Sequence, residues 1–555
     1  MTLVVRWLFR SIEISVLLLA TAVASCSFGA SPEVRGTWLS TTGPNHIRTG
    51  INTEDVMSDL RHIGLNTVYV ETWKNGYTNY PSKALADVTN GIDRNVPVIG
   101  STRDLVQETL IHAHRNQLNY VGWFEYGFAA QFVGSGGTPS NPLATYMRDR
   151  GWLLRDQSGN YGNASNGFAW MNPAVPEVRE FLIDITLEAV QRYDLDGIQF
   201  DDRLAWPREF GWDPVTLGTY QAETGNSLPT SVFDLQFRTW RQQKVSDFAA
   251  ELSQAVRNVR PDIQLSVSPS VTGFSETNFN ADWTDWQEDA LFDEFVPQVY
   301  RSSISAFDAT IGSQVAPFQP NDLEELIVGI RIDGSPPTTP YADVEDMIER
   351  TRREGAAGHS LWYSQGVRDF YSDQLTEFYD VSGQGHAANP NFAVDHRPAP
   401  LVASQAASAE WEVDVTSAGR YRLVAKIGNF WTEYQVAHLQ PGTQQFSVPG
   451  ATEVELLVDR RTASPLLADF DDDSDTDGSD LLAWQRGVID DDTSVDANFD
   501  GSVDDLDFIR WQFNYGRQPT VSTASTLAVP EPATAMLLMC CALLGVRARC
   551  RSATD

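Results

Sequence analysis

Residues 194–203 read DLDGIQFDDR. The stretch begins as an ordinary buried strand and ends in two adjacent aspartates, Asp201 and Asp202. An acidic pair at that point is either a cap for the following turn or part of a functional rim. Which of the two depends on how many strands of the same kind surround it.

Seven other runs share its texture: RGTWLS (35–40), NTVYVETW (66–73), NYVGWFEYGF (119–128), IQLSVSPS (263–270), FDEFVPQVYR (292–301), ELIVGIRID (325–333) and GHSLWYS (358–364). Most are continuous apolar runs, as parallel strands buried on both faces require. Helical patterns separate them at 53–63, 102–117, 236–259 and 342–354. The clearest lies in MNPAVPEVREFLIDITLEAVQRY (171–193). There Pro173 or Pro176 fits a first helical turn, and Val178, Phe181, Leu182, Ile185 and Ala189 recur on one face. Eight strand–helix units predict an α/β fold, a (β/α)8 TIM barrel over residues 31–380. The alternative, an open doubly wound sheet, is disfavoured because no Gly-rich phosphate loop follows the first strand.

The chain has 555 residues, too many for one core. With 42% hydrophobic and 11% aromatic residues it is globular. Its formal net charge of −34 repels polyanions, which argues against nucleic acid as a partner. The four cysteines, Cys26, Cys540, Cys541 and Cys550, all lie near the ends, so the body has neither disulfide nor thiolate chemistry. Residues 1–30 read as a secretory signal peptide, with Arg6 and Arg10 before the apolar run 14–20. Cleavage after Ala24 is one outcome; VASC, resembling a lipobox around Cys26, offers the other. Residues 529–555 pair VPEP with an apolar run and three arginines, which resembles a bacterial PEP-CTERM sorting signal after a linker at 518–528. The expected location is therefore the bacterial cell surface or the outside, with membrane contact only through the terminal segments.

Two modules are expected between the barrel and the tail. Residues 385–462 alternate apolar and polar residues and are broken by Gly, Pro and Ser, predicting a small β-sandwich. It serves either sugar binding or packing. Within 466–517, two 12-residue loops place oxygens at positions 1, 3, 5, 9 and 12. They are Asp469, Asp471, Asp473, Asp477 and Asp480, then Asp496, Asn498, Asp500, Asp504 and Asp507. Hard oxygens at that spacing suit calcium. Each loop runs into a helix-like segment with a tryptophan, Trp484 and Trp511. The pair resembles a type I dockerin, an EF-hand-like module, which implies calcium and a cohesin-type partner.

In parallel barrels, chemistry sits where strands end. The expected rim holds Glu71 and Trp73 (second strand), Trp123 and Glu125 (third), Asp201 and Asp202 (fourth), Gln298 and Tyr300 (sixth) and Trp362 (eighth). Flat aromatic faces suit sugar rings, and paired carboxylates cut glycosidic bonds.

RGTWLS, YPSKAL (80–85), MNPAVPEVREFL (171–182), DGIQFDD (196–202) and VPQVYR (296–301) resemble the glycosyl hydrolase-like 10 family of bacterial barrel proteins over about residues 33–370. That family is similar to the alpha-amylase-like glycosidases, and the resemblance implies that Asp201 is the strand-4 catalytic aspartate. The amylase-type arginine two residues earlier is Gln199 here, and no glutamate follows LSVSPSV, so the amylase mechanism does not transfer. Glu125, then Glu71, is the expected carboxylate partner. Asp202 is a second candidate, because adjacent acids resemble the pair used on N-acetyl amino sugars. Glu71, Trp73, Trp123, Gln298, Tyr300 and Trp362 are expected to bind substrate. The expected function is a glycoside hydrolase acting on a polysaccharide, with no cofactor for catalysis. The alternative is a non-catalytic surface protein that holds glycan without cutting it. A metallohydrolase is disfavoured: the lone His-x-His, HAH at 112–114, reads as a surface feature of a helix.

Overall fold

The computed structural model describes residues 30–334, 337–392, 397–461, 470, 476, 478–490, 495, 503, 508 and 511. The expected leader, apart from Ala30, lies outside these residues, as do the linker and the sorting signal. Among the described residues no helix is long and apolar enough to cross a membrane.

All eight apolar runs form strands of one parallel sheet. They are β1 (Val34–Leu39), β2 (Thr67–Glu71), β3 (Asn119–Phe124), β4 (Gly197–Asp201), β5 (Gln264–Ser268), β6 (Glu294–Phe295), β7 (Gln298–Val299), β8 (Ile327–Arg331) and β9 (Gly358–Trp362). Their order is β6-β5-β4-β3-β2-β1-β9-β8-β7. There are nine strands from eight runs because Pro297, which has no N–H for the ladder, splits FDEFVPQVYR. The half before it pairs with β5 and the half after it with β8. Parallel bridges Ser270–Gln298 and Phe295–Leu326 cross the break. The two ends of this curled sheet are therefore consecutive pieces of chain.

Helices cover the outside. They include α1 (Gly50–Ile63), α2 (Leu105–Arg115), α3 (Pro176–Arg192), α4 (Leu235–Val259), α5 (Ile304–Val315) and α6 (Tyr341–Glu354). Pro176 opens α3, and Val178, Phe181, Leu182, Ile185 and Ala189 are buried on its inner face. Gly64 ends α1 at φ +114°, a left-handed cap that favours glycine.

Inside the sheet the packing is partly polar. Glu294, fully buried, accepts hydrogen bonds from Tyr69 (2.9 Å) and Ser266 (2.7 Å). Gln199 donates to Ser266 Oγ (2.9 Å) and accepts from the Trp38 indole (2.7 Å). The end of the sheet where the strands start is plugged by a later segment of chain: Asn389 donates to Thr67 and Asn391 to Glu294.

Seven strands follow: β10 (Leu401–Val402), β11 (Ser404–Ala407), β12 (Glu410–Val415), β13 (Gly419–Ile427), β14 (Phe430–Leu439), β15 (Gly442–Ser447) and β16 (Ala451–Val458). They make two antiparallel sheets, β10-β16-β13-β14 and β11-β12-β15, around one apolar cluster that includes Trp411, Val413, Leu423 and Leu456.

These sheets lie against α2. Ile111 packs with Val424, Trp431 and Leu457, and the Arg115 guanidinium sits 3.8 Å over the Trp431 ring. The contact corrects the expectation for HAH: His112 and His114 are buried at this junction, not on the surface. His114 Nδ1 accepts from Arg422, so its ring proton sits on Nε2 and is donated to Asp196 (3.1 Å). Asp194 and Asp196, the first acids of DLDGIQFDDR, are both held by Arg397 at 2.7 Å.

Candidate active site

At the other end of β4 stands Asp201, 5% exposed. Its Oδ1 accepts from the Asp202 backbone N–H (2.7 Å) and from the Gln298 amide. Gln298 also donates to the Ser268 carbonyl (3.0 Å), which fixes the direction of its NH2 group. Asp202 lies one residue beyond the strand, at the start of the loop.

Two cations organise the acids. Arg203 Nη1 lies 3.7 Å from Asp201 Oδ2, 3.4 Å from Asp202 Oδ1 and 3.8 Å from Glu125 Oε1. The first and last of these distances bound the separation of Asp201 Oδ2 and Glu125 Oε1 at their sum, about 7.5 Å, within the reach of a carboxylate pair that flanks a glycosidic bond. Lys74 Nζ sits between Glu71 Oε2 (2.8 Å) and Glu125 Oε2 (2.6 Å) and donates to Ser40 and Thr42. Glu71, fully buried, also accepts from the Thr41 N–H (3.0 Å), Ser40, the Thr41 hydroxyl and Asn79.

Their electrostatics separate the acids. Burial, then the charge of Asp202, pushes the Asp201 carboxyl well above the usual aspartate range. Burial also raises Glu125; Lys74 and Arg203 offset this only in part, and Glu71 adds to it. Burial works to raise Glu71 as well, but there the charge and hydrogen bonds of Lys74, with those of Ser40 and Thr41, prevail and hold it low. Tyr300 is pushed well up by burial and by the nearby acids, so it stays a neutral hydroxyl.

The aromatic side chains form a wall beside the acids. Tyr300 and Trp362 stack at 6.0 Å, Trp123 meets Trp362 edge-on at 5.7 Å, and Trp38 lies 5.9 Å from Trp362. Trp123 is 1% exposed, and its indole N–H has no hydrogen-bond partner among the described residues. Trp73 does not join the wall. It is fully buried behind the sheet, edge-on to Phe181 of α3 (5.9 Å), and donates to the Gly127 carbonyl. The chain turns after Glu71 into a hairpin of Trp73–Lys74 and Tyr77–Thr78, which brings Lys74 rather than Trp73 to the acids.

The structure thus gathers Asp201, Asp202, Glu125, Gln298, Tyr300, Trp123 and Trp362, with Glu71 joined to them through Lys74. Sequence reasoning passed over Lys74 and Arg203. For Arg203 the available signal was a basic residue directly after the acids of a strand end; Lys74, three residues past Glu71, carried none. Glu276, the first acid after β5, instead pairs with Arg238.

Of the ten expected calcium ligands, nine lie outside the described residues. Asp480 is described: it is fully buried at the start of α7 (Gly478–Asp490), and its Oδ1 accepts from the Phe470 N–H (2.6 Å). Trp484 stacks on Phe508 (5.0 Å), and Phe508 on Trp511 (5.6 Å), so side chains from the two repeats meet.

Comparison with known proteins bears on this site. The profile of the family described as glycosyl hydrolase-like 10 matches residues 33–336. Glycosyl hydrolase DigH of Escherichia coli O6:H1 is 24% identical over 273 residues, 44% of this chain and 57% of that protein. Glycosyl hydrolase YngK of Bacillus subtilis is 21% identical over 349 residues, 57% of this chain and 64% of that one. The chain therefore spans less than two thirds of each of these relatives. Among solved structures, the PgaB (BpsB) glycoside hydrolase domain from Bordetella bronchiseptica superposes with a TM-score of 0.47 at 14% identity, over 63% of this chain and 98% of that domain.

Proposed function

The chain belongs to the glycosyl hydrolase-like 10 family, and from that premise we propose that it is an exported glycoside hydrolase that cleaves O-glycosidic bonds of a polysaccharide. The observation that carries this is the cluster of Asp201, Glu125 and Asp202 around one Arg203 nitrogen, beside an aromatic wall. Asp201 is the general acid. Burial and the charge of Asp202 favour its protonated form, so it holds a proton for the leaving oxygen. Glu125 is the partner carboxylate, steered by Lys74 and Arg203, and acts on the sugar carbon or on its water. Gln298 fixes the Asp201 rotamer, and Trp362 and Tyr300, the half-buried members of the wall, receive the sugar while Trp123 backs Trp362. Glu71, held low by Lys74, anchors that lysine rather than reacting.

The curled sheet serves as a closed (β/α)8 barrel and the two antiparallel sheets as a β-sandwich. Residues 1–30 direct export, and residues 529–555 sorting to the bacterial surface. Residues 466–517 hold calcium and present a face to a cohesin-type partner, a reading supported by the Asp480 contact and the Trp484–Phe508–Trp511 stack. Calcium addition is expected to raise the melting temperature of a 466–517 fragment and EDTA to reverse it; a fragment indifferent to both would remove the metal from the account.

The test of the enzyme is sugar release from a polysaccharide panel. Asp201→Asn is expected to lower it by at least about a thousandfold, and Glu125→Gln by a similar factor, the scale on which acid–base and electrostatic groups act. Full activity in a folded Asp201→Asn chain would sink the assignment.

A further inference from the structure

Arg203 has a second side. Its guanidinium carbon lies 5.1 Å from the centroid of Tyr126 and 4.8 Å from that of Phe168, so the cation that touches the three acids also sits on two aromatic rings. From there the aromatic contacts continue outward. Tyr126 meets Phe168 edge-on at 5.5 Å, and Phe168 meets Phe132 at 5.1 Å. Phe132 and Phe168 face one another across an antiparallel pair of short strands, Ala129–Phe132 and Phe168–Trp170, the first of which follows β3.

The end of this ladder is built in an unusual way. Phe132 is 59% exposed, although it terminates a row of packed rings. One side of it is supported: a Cβ at Gly167 would lie 2.8 Å from Phe132 Cε2, so the ring rests directly on glycine backbone. The strand beneath is pinned, since the Phe132 N–H donates to Asn75 Oδ1 and the Gln131 side chain bonds Ser140. The Trp170 indole, at the end of the second strand, is fixed by Asn166 (2.9 Å). This open aromatic face adjoins a row of rings that ends at the cation beside the acids, and a flat apolar ring belonging to a molecule that also reaches those acids suits it. An isolated exposed phenylalanine would call for no such occupant.

We propose that Phe132, seated on Gly167 and Phe168, is a distal subsite that stacks a sugar ring several units along the polysaccharide from the bond being cut. The inference rests on the glycoside hydrolase reading and extends it: the substrate is a chain long enough to span from Asp201 past Arg203, Tyr126 and Phe168, so the enzyme recognises internal stretches rather than single terminal residues. Phe132 is a binding residue that never touches the reacting atoms.

The experiment measures calorimetric binding of cello-, xylo- and chito-oligosaccharides of two and six units to the full chain carrying Asp201→Asn, which cannot consume them. Adding Phe132→Ala is expected to weaken the best six-unit probe about five- to tenfold, the worth of one aromatic contact, while the two-unit affinity stays within error. Phe132→Trp is expected to restore the six-unit affinity. Loss at both lengths, or at neither, overturns the subsite while leaving the catalytic assignment standing. A chain that binds no probe of any length overturns the subsite together with the polysaccharide reading on which it rests.

Discussion

Asp201 shows at single-residue scale how the proposed acid role and stability oppose each other. Its carboxyl is buried, faces the like charge of Asp202 and is pushed up in the folded state. The folded protein therefore holds a proton more tightly than the unfolded chain does. Stability falls as pH rises from the unfolded aspartate range toward that raised value, and the cost persists at neutral pH. Asp201→Asn keeps an oxygen for Asp202 N–H and Gln298 but cannot ionise in either the folded or the unfolded state. It is expected to raise the neutral-pH stability by about 1 kcal/mol, as substitutions at strained functional sites do, and the gain should vanish in acid. Melting curves at pH 7 and pH 3 check both parts; a gain equal at both would remove charge as the cause. The place of Asp201 was legible because a carboxyl group that closes a run of buried strand residues marks that strand's end, and such an acid is costly to desolvate. Lys74 was not, because nothing in a one-dimensional pattern says that a lysine in a tight hairpin turns back toward the acid three residues before it. Trp73 was misassigned for the same reason: the turn after Glu71 reverses which neighbour faces the rim.

At the scale of elements, the strands announced themselves by continuous apolar runs, since burial on both faces leaves no polar alternation. The split of the sixth run was foreshadowed only by Pro297. Helix α2 was the harder case. His112, His114 and Arg115 in its last turn look like cations complementing a helix C-terminus. Instead they form a buried docking face, because β13, β14 and β16 supply Arg422, Trp431 and Glu455 opposite them. Burial and the neighbouring Arg397 lower His114 from 6.5 to about 4, against the pull of Asp196. A histidine lowered in this way is neutral when folded and charges on unfolding. The stability it contributes is present above pH 6.5 and is lost as pH falls toward 4. The loss amounts to about 3 kcal/mol over that window. His114→Gln can still accept from Arg422 and donate to Asp196 but cannot titrate. Urea unfolding at pH 7 and pH 4.5 is expected to show a shallower fall in the variant than in the parent; parallel falls would assign the acid sensitivity elsewhere.

For the whole molecule the decisive feature is that both ends of β4 carry buried acids held by cations. Asp201 stands at one end; Asp194 and Asp196 lie just before the other, buried in the junction with the antiparallel sheets. Arg397, Arg460 and Arg422 reach these two acids from the part of the chain that follows the parallel sheet and its helices. A buried acid deprived of its cation costs about 3–5 kcal/mol, against a total stability of about 5–15 kcal/mol for a domain. A chain ending at residue 392 loses all three arginines and uncovers Ile111 as well. It is expected to unfold or aggregate, whereas a chain ending at residue 461 keeps the melting temperature and the sugar-releasing activity of the parent. The cause can be isolated, because Asp194→Asn with Asp196→Asn removes the stranded charges and should recover part of the lost stability in the shorter chain. The antiparallel sheets then belong to one folding unit with the parallel sheet, holding the base of the strand whose tip carries Asp201. A 392-residue chain that melts and cleaves like the parent would instead make them a detachable spacer, and the buried arginines an interface without consequence for the acid seven residues along from Asp194.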